Sequence, residues 1–223
     1  MHIKENLQNI LTTIPKHVKL IAVSKTKPAT DILEAYNAGQ RIFGENKIQE
    51  MVEKHDLMPK DIQWHMIGHV QRNKVKYMAS FVSLIHGVDN FKLLKEINKQ
   101  AKKYDRVIDC LFQLKIAEED SKFGMTYNDV EAIIKSEEFS ELKHINVVGF
   151  MGMATFTDNQ NKIKKEFASL KTIFTTLSRH KYSNFNPKVL SMGMSSDFQL
   201  ALECGSNMIR IGSTIFGARN YTN

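Results

Sequence analysis

Short apolar runs alternate along this chain with longer stretches in which apolar residues recur every three or four positions. The short runs predict strands at VKLIAVS (18–24), RIFG (41–44), IQWHMIG (62–68), FVSLIHG (81–87), VIDCLFQLKI (107–116), INVVGFMGMA (145–154), KVLSMG (188–193) and MIRIG (208–212). Between them the helical period predicts PATDILEAYNAG (28–39), KIQEMVEKHD (47–56), RNKVKYMAS (72–80), FKLLKEINKQAKK (91–103), YNDVEAIIKS (127–136), a long segment around 160–179, and SDFQLALECG (196–205). Pro28 suits a first turn and Gly39 a helix end, and an extra helix precedes the first strand at about 3–13.

Several predicted strands are apolar on both faces, as in a parallel sheet covered by helices. About eight strand-then-helix units in 223 residues predict one (β/α)8 barrel domain spanning 1–223, with an open doubly wound sheet as the alternative. No sequence repeat accompanies this rhythm.

Composition adds limits. With 42% hydrophobic residues, 25% charged residues and 4 prolines, the chain reads as an ordinary globular protein without a linker. The apolar runs fall far short of the roughly 20 residues that cross a bilayer, and the start MHIKENLQNI lacks a signal-peptide core, so a cytoplasmic protein with no membrane partner is expected. Two cysteines, Cys110 and Cys204, are too few for a disulfide framework and read as reduced, partly buried thiols. The eight histidines show no HxxxH spacing and the cysteines no CxxC, so no metal is expected. The net charge of +7 comes from lysines interleaved with acids, which reads as solvated helix faces; nucleic acid is not the expected partner.

A barrel of this kind carries its site at the C-terminal ends of its strands. Those positions hold Lys25 after the first strand, Glu45 and Asn46 after the second, His65 and His69 around the end of the third, and His86 after the fourth. They continue with Lys115 near the fifth, Met151 and Met153 near the sixth, 191–196 after the seventh, and Arg210 in the eighth. A lysine amine titrates near 10.4, but desolvation and cationic neighbours can bring it toward roughly 7 to 8, where it attacks aldehydes. Lys27, next to Pro28, is expected to be exposed.

Two segments near the far end look suited to an anion. In SMGMSSDFQLALECG, Ser195 and Ser196 precede a helix and Ser196 with Gln199 forms a capping-box pattern; in RIGSTIFGAR, Gly212, Ser213 and Thr214 follow the last strand and could open a short helix. Together with Lys25 they suggest one ligand with an aldehyde at one end and a phosphate at the other.

The segments AVSKTKP, FGEN, WHMIGHVQRNK, GFMGMAT, SMGMSSD and RIGSTIFGAR, in this order, closely resemble the pyridoxal phosphate homeostasis proteins, a family related to the N-terminal barrel of alanine racemase. The resemblance implies a (β/α)8 barrel carrying pyridoxal 5′-phosphate covalently as a Schiff base on Lys25. It further implies Ser195, Gly212 and Ser213 at the phosphate, Asn46 and Met192 near the cofactor, and Arg210 facing the pyridine nitrogen. Val70 and the methionine-rich GFMGMAT depart from the usual pattern, at pocket walls and not at anchors.

The function so implied is non-catalytic vitamin B6 homeostasis: a monomeric carrier of pyridoxal phosphate serving PLP-dependent apoenzymes. A related racemase needs a second domain and an opposite-face base, and neither is expected here, the sequence ending at Asn223 just after the barrel's expected last helix. The rival reading is a weak racemase or lyase with His65, His69 or Tyr221 as second proton carrier. A third is a basic adaptor using the lysines around 72–76 and 92–103.

Overall fold

The computed structural model describes residues 2–117 and 123–218. Eight strands form a closed parallel barrel in chain order: β1 Lys19–Val23, β2 Ile42–Glu45, β3 Gln63–Met66, β4 Leu84–Val88, β5 Ile108–Gln113, β6 Ile145–Met151, β7 Phe185–Ser191 and β8 Met208–Ile211. Closure runs through the β1–β8 ladder, with Lys19, Leu20, Ile21 and Ala22 opposite Met208, Ile209, Arg210 and Ile211. That ladder excludes the open sheet.

Helices cover the outside: α1 Ile3–Thr13, α2 Ala29–Asn37, α3 Ile48–Leu57, α4 Phe91–Lys103, α5 Tyr127–Lys135, α6 Glu137–Ser140, α7 Gln160–Leu177, α8 Phe198–Glu203 and α9 Ser213–Phe216. The extra helix α1 buries Ile3, Leu7 and Ile10 at helical spacing, and Asn6 donates from Nδ2 to the Ile215 carbonyl at 3.1 Å, tying the start of the chain to α9. In α4 the Asn90 side chain accepts the Leu93 N–H, and Leu93, Leu94, Ile97 and Ala101 face inward.

Two predicted elements change. The stretch 72–80 is a 3-10 helix only over Arg72–Tyr77, followed by a turn over 78–80 that buries Met78 and Ala79 beside Val75. Strand β7 begins at Phe185, ahead of the predicted 188. Pro187 is accommodated where the β6–β7 register shifts between the pairs Val147–Phe185 and Gly149–Val189, so its missing N–H interrupts no regular ladder.

Between barrel and helices pack Phe43, Trp64, Phe112 and Phe150 from the strands and Phe139 and Phe167 from α6 and α7, all fully buried. Each such side chain contributes roughly 1.5–3 kcal/mol on burial. Ile21, Leu84, Leu111, Met151 and Met208 form a smaller apolar cluster inside the barrel. Cys110 is buried, which pushes its thiol well above the usual range, and Cys204 is half-buried; neither is in a disulfide.

Gly149 sits at the β6–β7 shift with φ +157°, and a Cβ there would stand 1.8 Å from the Val189 carbonyl oxygen. Backbone must move to admit it, so Gly149→Ala is expected to lower stability by about 3 kcal/mol or more. Urea unfolding checks this; a loss under about 1 kcal/mol would show that the β6–β7 ladder yields easily.

Candidate functional site

At the C-terminal mouth of the barrel lies a cleft of about 490 Å³. Lys25 reaches it from the turn after β1, Asn46 from the loop after β2, and Arg210 from β8 itself; Ser195 comes from the loop after β7, and Gly212 and Ser213 follow β8. Six of the seven residues singled out from the sequence therefore converge. Met192 does not line the cleft: it is fully buried in the outer core, and its carbonyl accepts the Ser206 hydroxyl at 2.7 Å.

Other sequence candidates separate by depth. His69 and Met153 line the cleft, whereas Lys115 is exposed and off its wall and Met151 is inside the barrel. Tyr221 lies outside the described residues. Lys27 is not exposed as expected: half-buried on the cleft wall, it donates from Nζ to the carbonyls of Phe216 at 2.8 Å and Ala218 at 3.1 Å. Those are carbonyls at the end of α9, and an ammonium is the natural donor for them.

Behind the Lys25 turn is a buried ionic group that the sequence reading did not find. Glu45 points outward from the end of β2, and its Oε1 accepts from the Ser24 hydroxyl at 2.6 Å and from Lys54 Nζ at 2.8 Å. Burial raises the Glu45 carboxyl above its usual range, and Lys54 and Ser24 oppose that rise. The signal was present: Lys54 continues the Ile48, Met51 stripe of α3, where an apolar residue is expected.

A second polar chain occupies the barrel interior. Arg210, only 4% exposed, donates from Nη1 to Ser191 Oγ at 2.7 Å and to the Ser191 carbonyl at 3.0 Å, and from Nη2 to the Gly152 carbonyl at 3.3 Å. Ser191 Oγ lies 3.2 Å from His86 Nδ1, and His86 Nε2 lies 3.1 Å from His65 Nδ1. His65 and His86 thus stand inside the barrel, and the expectation that they mark its mouth is corrected. Burial holds both rings neutral, lowering His65 to about 3 and His86 well below its ordinary value.

Each neutral ring offers one donor and one acceptor. We assign the direction in which Ser191 accepts from Arg210 and gives its own hydrogen to His86 Nδ1, with His86 carrying its proton on Nε2 and donating to His65 Nδ1, because the reverse direction leaves the buried Ser191 hydrogen with no acceptor in this line. Burial also pulls the Arg210 guanidinium down to about 10, still cationic at neutral pH. The bonds to Ser191 and Gly152 engage three of the five guanidinium N–H groups.

The far loops meet beside it. Gly212 N–H donates to Ser195 Oγ at 3.3 Å and Arg210 N–H to the Gly193 carbonyl at 3.0 Å. The expected capping box at Ser196 is absent: α8 starts at Phe198, its N-cap Asp197 makes no side-chain cap bond, and Asp197 Oδ1 instead accepts the Met194 N–H at 2.6 Å. That bond folds 194–197 into a turn and delays the helix. Gly212 lets the chain pass close to β1, since a Cβ there would sit 3.3 Å from Val23.

The folded imidazoles bind a proton only far below the unfolded value of about 6.5. As pH falls through 6.5 the unfolded chain gains protons first, so stability is lost from there down to about 3, where His65 titrates in the fold, at about 1.4 kcal/mol per pH unit for each ring. Ring nitrogen NMR is expected to show both histidines as single neutral tautomers, Nε2–H, from pH 8 to 5. A protonated signal at pH 5.5, or a urea midpoint no lower at pH 5 than at pH 7, would contradict this assignment.

The family model for the alanine racemase N-terminal domain matches residues 1–220. A pyridoxal phosphate homeostasis protein of Pasteurella multocida is 36% identical over 226 aligned residues, covering 99% of this chain and 96% of that one. One of Aquifex aeolicus is 38% identical over 204, covering 91% and 88%. Among solved structures, PipY of Synechococcus elongatus with PLP bound superposes with a TM-score of 0.87 at 33% identity, over 96% of this chain and 100% of that one. An alanine racemase of Clostridium difficile 630, at 14% identity and TM-score 0.77, covers 99% of this chain but 57% of its own and shares the fold alone. With the cleft built at the mouth of this barrel and relatives above 30% identity spanning nearly the whole chain, the protein belongs to the pyridoxal phosphate homeostasis protein family.

Proposed function

We propose that the protein is a non-catalytic carrier of pyridoxal 5′-phosphate, a single barrel domain that holds the cofactor in its cleft and contributes to vitamin B6 homeostasis. One observation carries the reading: an amine, a buried donor-only cation and a hydroxyl beside a glycine loop line the same cleft, from Lys25, Arg210, Ser195 and Gly212. Those groups match an aldehyde, a ring nitrogen and a phosphate. Support also comes from PipY, a 33% identical relative described with PLP bound.

When bound, pyridoxal phosphate supplies an aldehyde carbon conjugated to an electron-withdrawing ring. Lys25 would hold that carbon covalently, and Ser195 with the backbone of Gly212 and Ser213 would hold the phosphate. Asn46, on the same wall, would contact the ring side. Arg210 only donates and stays charged, so it favours an unprotonated ring nitrogen and a weak electron sink, which suits storage better than carbanion chemistry. The reading includes delivery to PLP-dependent apoenzymes, a cytoplasmic setting and a monomeric state.

A weak racemase or lyase remains the second reading, and His69 is the observation that favours it. His69 lines the cleft while His65 is locked in the barrel interior. Its Nδ1 lies 3.0 Å from Asp89 Oδ2 and its ring stacks on Phe123 at 4.2 Å. Saturable amino-acid turnover, lost in both Lys25→Ala and His69→Gln, would establish that reading over the carrier.

The purified protein mixed with pyridoxal phosphate is expected to show a visible imine absorption that borohydride bleaches, with the reduced adduct on the peptide containing Lys25. Lys25→Ala is expected to remove the band, and Ser195→Ala to weaken binding roughly tenfold, or about 1.4 kcal/mol. An unchanged band in Lys25→Ala would overturn the proposal.

A further inference from the structure

The residues on either side of Lys25 are gripped from α3 and the end of β2. The Ser24 carbonyl accepts from Lys54 Nζ at 2.7 Å, the Ser24 hydroxyl donates to Glu45 Oε1, and the Thr26 N–H donates to Glu50 Oε1 at 2.5 Å. Lys54 Nζ also donates to Glu45 Oε1 at 2.8 Å and to Glu50 Oε1 at 2.6 Å. An ammonium has three N–H groups, and each has one acceptor here. Lys54 is 7% exposed and Glu45 not at all, so their pair is sheltered from solvent screening, while Glu50 is half-buried at the outer edge of the cluster.

The grip holds a strained conformation. Thr26 has φ +63°, the left-handed region, where a β-branched residue is an outlier. Such strain persists only where neighbouring contacts outweigh it. The contact at Thr26 itself is the charge-assisted bond to Glu50, and Lys54 fixes Glu50 and Ser24 together. None of Glu45, Glu50 or Lys54 lines the cleft, so whatever they do for the ligand passes through the backbone of 24–26.

We infer that Glu50, braced by Lys54, is a positioning residue for the Lys25 amine: it holds Thr26 left-handed so that the neighbouring lysine leaves the β1 turn aimed into the cleft. The inference rests on the reading of Lys25 as the aldehyde-binding amine. In that step the Lys25 nitrogen attacks the aldehyde carbon, a C=N bond replaces C=O, and the carbonyl oxygen departs as water with the two amine hydrogens. Formation of the C–N bond needs the amine held at a defined approach to the carbon, whereas phosphate and ring contacts do not.

The test uses cofactor-free full-length protein and two probes. Pyridoxal 5′-phosphate reports imine formation by absorbance, and pyridoxine 5′-phosphate, which has ring and phosphate but no aldehyde, reports the remaining contacts by displacement. Glu50→Ala leaves Lys54 paired with Glu45, and α3 tolerates alanine. This variant is expected to form the imine about tenfold more slowly while binding pyridoxine 5′-phosphate as the native protein does. Adding Thr26→Asn, a residue that adopts positive φ readily, is expected to restore most of the rate. Native-rate imine formation in Glu50→Ala, equal weakening toward both probes, or no recovery in the double variant would each overturn the inference. If Glu50→Ala melts more than a few degrees low, Glu50→Met, of similar length and without the carboxylate acceptor, replaces it under the same criteria. Lys25→Ala serves as the reference: an imine band that survives there defeats the carrier reading itself, while its loss together with an unaffected Glu50→Ala defeats only the positioning role.

Discussion

Pairing of β1 with β8 is the constraint on which the site depends. Lys25 and Gly212 are distant in sequence, yet the register that sets Ile21 opposite Arg210 and Ala22 opposite Ile211 brings the turn after β1 beside the loop after β8. An open sheet of the same strands would leave these at opposite edges. The chain closes that long separation cooperatively, through seven further parallel ladders, since no local contact could offset the loop-closure entropy alone. Gly212 contributes at the seam by letting β8 continue against Val23, and Lys27 adds a bridge from the first loop to the carbonyls that end α9.

Closure also creates an interior, and here the filling is unusual for a barrel. Branched apolar residues occupy part of it, but Arg210, Ser191, His86 and His65 form a line of hydrogen bonds through the rest. A buried guanidinium is costly unless its neighbours accept, and the line solves this by passing one donor direction from the charge into two neutral rings. The result is a cation on the cleft wall whose orientation is set from beneath.

Much of this was legible in the sequence because barrel architecture is periodic. Each apolar run that predicted a strand is one, with ends displaced by a few residues, and the strand-end rule brought Lys25, Asn46, Ser195, Arg210, Gly212 and Ser213 to one cleft. The misses have physical causes. Met192 has the right position in the chain, but its buried side chain packs with the outer core, a matter of strand phase that short motifs do not show. His65 and His86 were read as mouth residues because strand ends blur by one pair, which is the difference between cleft and interior. Lys54 stood out only as a lysine on an apolar stripe, and neither it nor Glu50 could be tied to the site, because their effect passes through hydrogen bonds to residues 24 and 26, a contact between elements that no single stretch of sequence encodes.

The two ends of the cleft differ in how they are held. The deep end, at Arg210, is fixed by side chains inside the barrel and can move only if the core moves. The outer end, at Lys25, is fixed by a strained turn and by an ionic cluster beneath it, with Phe123 and the almost fully exposed Phe156 at the rim. For a protein read as a carrier this division is physically apt. Were the cofactor held on Lys25 as proposed, its reversible imine would make retention depend on how well the amine is presented, and a strained turn is a setting that small changes in its clamp can alter while the anchors below stay in place.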